Sequence, residues 1–497
     1  MNASVAALVM KDNFEEATGK AEAKKKSKDP KEAAAALRLI SLVTLEKVSR
    51  PGGGDASDAV TAAKAALDGG KAAKSAAAEA AGMVLLAQAQ VLAKKDEEAL
   101  KTAEDAAAKF QAVPHPAGEG SALCAVAKAY VLAGRNQKGF EAANKAVSLF
   151  KDAGDLKGEA MALQTLSDTY MAMKKYSDAM QAAERISEIY SGLSDAFGQG
   201  IGKLLSAEVN VANDNKQDAV MDAQEASKLF KKAGANYKMG VVNKIGAKAA
   251  IAELMYEDAK EMSERTLLCF KQAGDKHGQA VSMLVMADFY SAATEYDKVT
   301  YRAEAAAEAF KKIGAVSDAA AAFRVCCKGF IDTKMFSAKA GSNVAREAMR
   351  TATASLKLYE SISETESTGY ASSTNMLAQA HLAAGDLDVA LDKANEAQAL
   401  FKKLDYPVGV AATLNTTAQV QQKKGETFDA ISTAKEAQQL FQEYDDQEGA
   451  EMSGYLVDLF QAPPEEEGGD VAPIEDKPEK KKSGPSRCGL ADLVPGG

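Results

Sequence analysis

The side chains that could carry out chemistry are few and scattered. The chain has three histidines: His115 between two prolines, His277 and His381. A metal site needs ligands at a spacing that brings them to one face, such as two histidines one helical turn apart, and no two of these are so placed. Its five cysteines, Cys124, Cys269, Cys326, Cys327 and Cys488, include no C-x-x-C pair. An odd, sparse set of this kind suits a reducing compartment and buried, inert thiols. Gly198-Gln199-Gly200 is followed by no Gly-Lys-Ser/Thr and preceded by no strand pattern, so it is not a phosphate loop. The expectation is a protein with no catalytic, cofactor or metal residues and no enzymatic activity.

A second set of residues carries recognition chemistry instead. Gln88, Lys128, Asp168, Glu208, Lys248 and Asp288 recur at a constant step, and Lys328, Gln379 and Gln419 continue the series. All are polar, in segments otherwise dominated by Ala, Val, Leu and Met. A core does not accept such a run, so this column faces water or a partner. Four positions upstream stand Val84, Cys124, Gln164, Leu204, Lys244, Leu284, Arg324, Asn375 and Asn415. Spacing of four puts both columns on one helix face. Lys244 with Lys248, and Arg324 with Lys328, form two basic pairs around Asp288. Asn375, Gln379, Asn415 and Gln419 form an uncharged amide ladder suited to a peptide backbone. A solvated wall whose charges pair between neighbouring repeats is the competing reading, and the sequence leaves both open.

The elements that must position these columns follow from the repeat. An aromatic anchor ends an amphipathic segment at Phe110, Phe150, Tyr190, Phe230, Phe270 and Phe310, then at Tyr359, Phe401 and Phe441. Small residues hold the place 23 before each anchor: Ala87, Ala127, Ser167, Ala207, Ala247, Ala287, Cys327, Ala378 and Ala418. Turn residues such as Gly154-Asp155, Gly234 and Gly314 follow the anchors. A further glycine eight places on (118, 158, 198, 278, 409, 449) reads as a helix terminus with positive φ or a close turn. Each unit resolves into two helices, about 159–173 and 176–190 in one example. Neither helix can bury its stripe alone, so neighbouring units must supply the core. The alanine runs and the absence of Trp agree with close helix packing through small side chains.

These units resemble tetratricopeptide repeats, in the longer subtype of forty-odd positions found in kinesin light chains and G-protein-regulating polarity adaptors. The signature of large, small, aromatic, Ala and Ala positions is clearest in 163–179 and 414–437. No closing proline is present, and Lys203 and Asn243 stand where the first large apolar residue belongs. The resemblance implies an all-α solenoid of antiparallel helical hairpins whose first helices line a concave groove. It places Lys128, Gln164, Asp168, Glu208, Lys244, Lys248, Asp288, Arg324, Lys328, Asn375, Gln379, Asn415 and Gln419 in that groove. A clamp for chaperone tails is not expected, because Lys128 is accompanied by Cys124 and Lys248 by Lys244 where asparagine is required.

The chain therefore reads as six stretches. Residues 1–29 are a helix and basic lead, partly disordered. Residues 30–69 are a degenerate helical unit without the anchor, and 70–330 are the regular array. Residues 331–368 are an extended helix with an insertion, centred on 339–349, after Phe336 has begun the second helix. Residues 369–460 are further units, and 461–497 a disordered tail. A formal net charge of −10 argues against nucleic acid as partner. The longest apolar stretch, 83–93, is too short for a bilayer, and the start of the chain lacks the pattern of a secretory signal, so a cytoplasmic protein is expected. The expected function is a scaffold or adaptor that holds an extended peptide or a partner helix. A vesicle-fusion adaptor of the SNAP type, or a motor-cargo adaptor, is the alternative.

Overall fold

The computed structural model describes residues 8–9, 11–113, 115–336 and 343–462. These hold 22 helices and no strand. Helix α1 (Phe14–Lys25) precedes the hairpins α2 (Pro30–Val48) with α3 (Ala56–Ala72), α4 (Ala76–Leu92) with α5 (Asp96–Ala112), and α6 (Pro116–Leu132) with α7 (Asn136–Asp152). Next come α8 (Leu156–Ala172) with α9 (Tyr176–Gly192), α10 (Ala196–Ala212) with α11 (Lys216–Ala233), α12 (Asn236–Ala252) with α13 (Tyr256–Gln272), and α14 (Lys276–Ala292) with α15 (Tyr296–Lys312). The last are α16 (Val316–Phe336) with α17 (Val344–Ser361), α18 (Thr368–Ala384) with α19 (Leu387–Lys403), α20 (Pro407–Lys424) with α21 (Thr427–Glu443), and the single α22 (Gln447–Gln461). The chain divides into two compact units, 1–282 and 283–497.

The rhythm is finer than the repeat of the anchors. Through the regular array one residue in each turn takes a left-handed backbone, twice as often as an anchor appears: Gly134, Gly154, Lys174, Ser194, Asp214, Gly234, Leu254, Gly274, Thr294 and Gly314. Helices of nearly constant length and short turns thus alternate, and the first and second helices of a hairpin differ first in what they bury. Second helices bury a single stripe. In α7 it is Gly139, Ala143, Ala146 and Phe150, at the spacing of 4, 3 and 4 that one helix face provides. First helices are enclosed on nearly every side: α8 buries nine residues from Gly158 to Thr169. The side-chain caps also fall mainly on first helices, although α12 and α20 lack one. Asp155 and Asp446 accept the N–H of Gly158 and Gly449, while no second helix from α5 to α21 has a side-chain cap. An enclosed helix end has no water to satisfy its N–H groups, so the side-chain acceptor matters more there.

The small-residue column is buried at every one of its nine positions, from Ala87 to Ala418. The anchors Phe150, Phe230, Phe310 and Phe401 are among the largest fully buried side chains. The glycines eight places after the anchors have a different cause from the one the sequence suggested. They lie inside first helices with ordinary helical φ, and the anchor ring rests directly on each. A Cβ would stand 2.3 Å from the Phe110 ring at Gly118 and 2.4 Å from the Phe401 ring at Gly409.

Where the anchor step lengthens, between Phe310 and Tyr359, the first helix α16 continues through Phe336 and the second begins only at Val344. Phe336 therefore ends the first helix instead of starting the second. Residues 337–342, at the start of the insertion, lie outside the described residues, as does the tail beyond 462. His277 stands in the first turn of α14.

Candidate functional site

What remains reachable on an enclosed first helix is one narrow stripe. In α8 it comprises Lys157, Met161, Gln164 and Asp168, spaced 4, 3 and 4, with second helices covering the other faces. In α8 this stripe carries both columns read from the sequence, through Gln164 and Asp168; in other units the upstream column includes buried members, Val84, Cys124, Leu204, Asn375 and Asn415.

In the unit 1–282 the charges on the stripe are reachable by solvent and closely surrounded by protein. Lys128, Asp168, Glu208 and Lys248 are exposed, while Gln164 and Lys244 are half-buried. The side chains of Lys128, Asp168, Glu208 and Lys244 make no hydrogen bond or ion pair to another described residue. They influence one another through space. Burial, then the charge of Asp168, pushes the Glu208 carboxyl up to about 7 against the pull of Lys238 and Lys244. Burial raises Asp168, opposed by Lys128. Burial and then Lys248 lower Lys244, opposed by Glu208. Each shift is led by burial, the cause expected where protein closes around a group that solvent still reaches.

In the unit 283–497 the same columns are more deeply engaged. The Arg324 guanidinium donates to the Tyr359 hydroxyl at 3.0 Å and to the Gly369 carbonyl at 3.4 Å. Lys328 binds both oxygens of Asp332, one turn on, at 2.7 and 2.8 Å. Arg324 thus ties α16 to α17 and α18, while Lys328 is held within α16 itself. Gln379 donates to the Thr416 hydroxyl and Gln419 to the Asn415 carbonyl. Asn375 and Asn415 are buried, at 7% and 9% exposure, and the Oδ1 of each has no hydrogen-bond partner among the described residues. Asp288 is half-buried. The asparagine oxygens are thus two unsatisfied acceptors at equivalent places on successive first helices α18 and α20.

The departures from the repeat pattern are absorbed by packing. Lys203 binds Asp222 at 3.1 Å and Glu225 at 2.9 Å on α11, and Asn243 donates to the Met239 carbonyl. Burial pushes the Cys124 thiol up to about 11 and Cys326 up to about 12, and raises Cys327 as well. A thiol so protonated is a poor nucleophile. His115 caps α6, its Nδ1 accepting the Gly118 N–H at 2.9 Å. No cluster of three metal-ligating side chains occurs among the described residues, and no described helix is long and apolar enough to cross a membrane.

The fold is a tetratricopeptide-like array of helical hairpins. The structure of a signal transduction ATPase with a tetratricopeptide repeat sensor, from Pyrococcus horikoshii, matches with a TM-score of 0.50 at 15% identity, over 74% of this chain and 53% of that one. The chain thus corresponds to about half the length of that protein. A Rap protein complexed with competence and sporulation factor matches with a TM-score of 0.42 at 12% identity, over 71% of this chain and 96% of that one. Tetratricopeptide-like repeats of a putative kinesin light chain from Podospora anserina match with a TM-score of 0.34 at 16% identity, over 39% and 94%. No family profile matches the sequence, and no curated protein matches it.

Proposed function

We propose that the chain is a non-enzymatic protein-interaction scaffold, in which the stripe of the first helices receives an extended peptide or a partner helix. One observation carries this reading. The stripe keeps polar groups that packing does not need: the charges of Lys128, Asp168, Glu208 and Lys244 without side-chain partners, and the buried acceptors of Asn375 and Asn415. Leaving buried polar groups unsatisfied costs about 1–3 kcal/mol each, a cost that a bound backbone N–H would remove. The cations and carboxylates at regular intervals supply the side-chain selectivity of such a site.

Selection from a random peptide display library on the full chain tests this. Binders should lose at least tenfold in affinity to Lys128→Glu/Lys244→Glu or to Asn375→Ala/Asn415→Ala. They should keep it with substitutions on second helices, such as Glu264→Lys. Binders indifferent to both stripe variants would sink the reading.

A further inference from the structure

The start of the chain meets helices that lie far along the sequence. The Asp12 carboxylate binds the Arg50 guanidinium at 2.8 Å and accepts the backbone N–H of Tyr237 at 3.1 Å. Arg50 lies between two rings, 4.5 Å from the centroid of Phe14 and 3.9 Å from that of Tyr237. The next turn reaches a second helix, for a Cβ on Gly52 would stand 2.9 Å from the Cβ of His277. Tyr237 and His277 occupy the first turns of α12 and α14. The loop of the first hairpin, α2 with α3, therefore sits on the helix starts of the sixth and seventh hairpins. The array of the unit 1–282 has turned back on its own beginning.

We infer that this contact is a releasable latch: Arg50, held between Phe14, Tyr237 and Asp12, closes the first unit around its polar stripe, and its withdrawal opens the stripe to a partner. That the stripe binds a partner rests on the function proposed above; the latch does not.

Several features make the contact releasable. Between the two sides stand a cation held between rings, one carboxylate and one backbone amide. Both charges are buried, Asp12 at 4% and Arg50 at 11% side-chain exposure, and for Asp12 the cost of burial outweighs the pull of Arg50, so its carboxyl is raised. A desolvated pair of this kind adds little net stability. Arg50 Nε is buried with no hydrogen-bond partner among the described residues. Asp12 is held at a φ of 62°, a backbone region that costs a residue with a Cβ. Gly52 and Gly54 hold φ of 72° and 134°, values a glycine adopts without the cost a side chain would bring.

Spin labels at Ser49→Cys and Lys276→Cys, both exposed positions, report the latch in the full-length protein with Cys488→Ser. The parent should give one short-distance population. Arg50→Ala and Tyr237→Ala should each shift it to longer, broader distances, with circular dichroism showing unchanged helix content. The Tyr237 amide should lose its protection from hydrogen exchange in Arg50→Ala. A short distance that persists in Arg50→Ala overturns the inference. So does loss of helix in both variants, which would make the cluster part of the core. Peptides selected as above should bind Arg50→Ala faster than the parent. Equal rates with the distance shift present would refute stripe access while leaving the latch standing.

Discussion

The ring of Phe150 lies against the backbone of Gly158 so closely that a Cβ built there would stand 2.1 Å from Cδ1. The relationship recurs between Tyr190 and Gly198, Phe270 and Gly278, and Phe441 and Gly449. An aromatic at the end of one hairpin and a glycine in the first turn of the next form the joint between units. Neither helix can approach so near if the glycine gains a side chain.

Gly158→Ala should therefore destabilise the array by about 1–3 kcal/mol, the cost of overpacking a close contact, read by urea denaturation. Pairing it with Phe150→Leu should cost less than the sum of the two single changes, because the smaller side chain makes room for the added methyl. Strict additivity would show that the ring is not what the glycine accommodates.

Thr294 holds a left-handed φ of 59° at a place in the rhythm of the turns where Gly134, Gly154 and Gly314 stand elsewhere. A β-branched residue is strained there. Thr294→Gly should raise stability by about 0.5–1 kcal/mol, the relief of left-handed strain less the entropy of the glycine in the unfolded chain. A lower denaturation midpoint would contradict it.

Glu208 should titrate with a midpoint near 7, well above an ordinary glutamate. The sign follows from linkage. The folded chain holds this proton at pH values where the unfolded chain has lost it, so the stability from the protonated form is full below pH 4.5 and is lost as pH rises to about 7. Thermal scans of Glu208→Gln should lack this fall between pH 5 and 8. Asp168→Asn should move the midpoint down, because it removes the neighbouring negative charge that raises it.

Arg324 and Asn375 belong to the same polar column yet should behave oppositely. Arg324→Ala removes bonds to Tyr359 and Gly369 and should cost about 1.5–3 kcal/mol, as charged hydrogen bonds do. Asn375→Leu replaces an acceptor that has no partner and should leave stability unchanged or raise it by about 1 kcal/mol. Denaturation of the two variants side by side decides this, and a large loss in Asn375→Leu would count against the unsatisfied acceptor.

Much of this architecture was legible because a repeat writes its packing rules many times over. The anchors and the small residues 23 places before them mark core positions, and the polar columns mark the one stripe that packing leaves reachable. The role of Gly158 was misread because a glycine near a turn suggests backbone freedom, whereas here the constraint is a ring from the preceding hairpin. The end of α16 was misplaced because the insertion falls between helices whose periodicity continues smoothly across Phe336.

The sequence by itself determined the all-α class, the hairpin unit and the face on which each residue lies, because helical periodicity and turn residues act over a few positions and are repeated along the chain. Which polar residues stay available was decided only by the tertiary structure. Arg324 looks like Lys244 in the alignment of the units, but Arg324 reaches Tyr359 and Gly369, whereas Lys244 is left to feel Lys248 and Glu208 through space. The contact of Asp12 and Arg50 with Tyr237 could not be read at all. It depends on the small rotation between successive hairpins summed over half the array, a quantity set by how every interface packs and by no single motif.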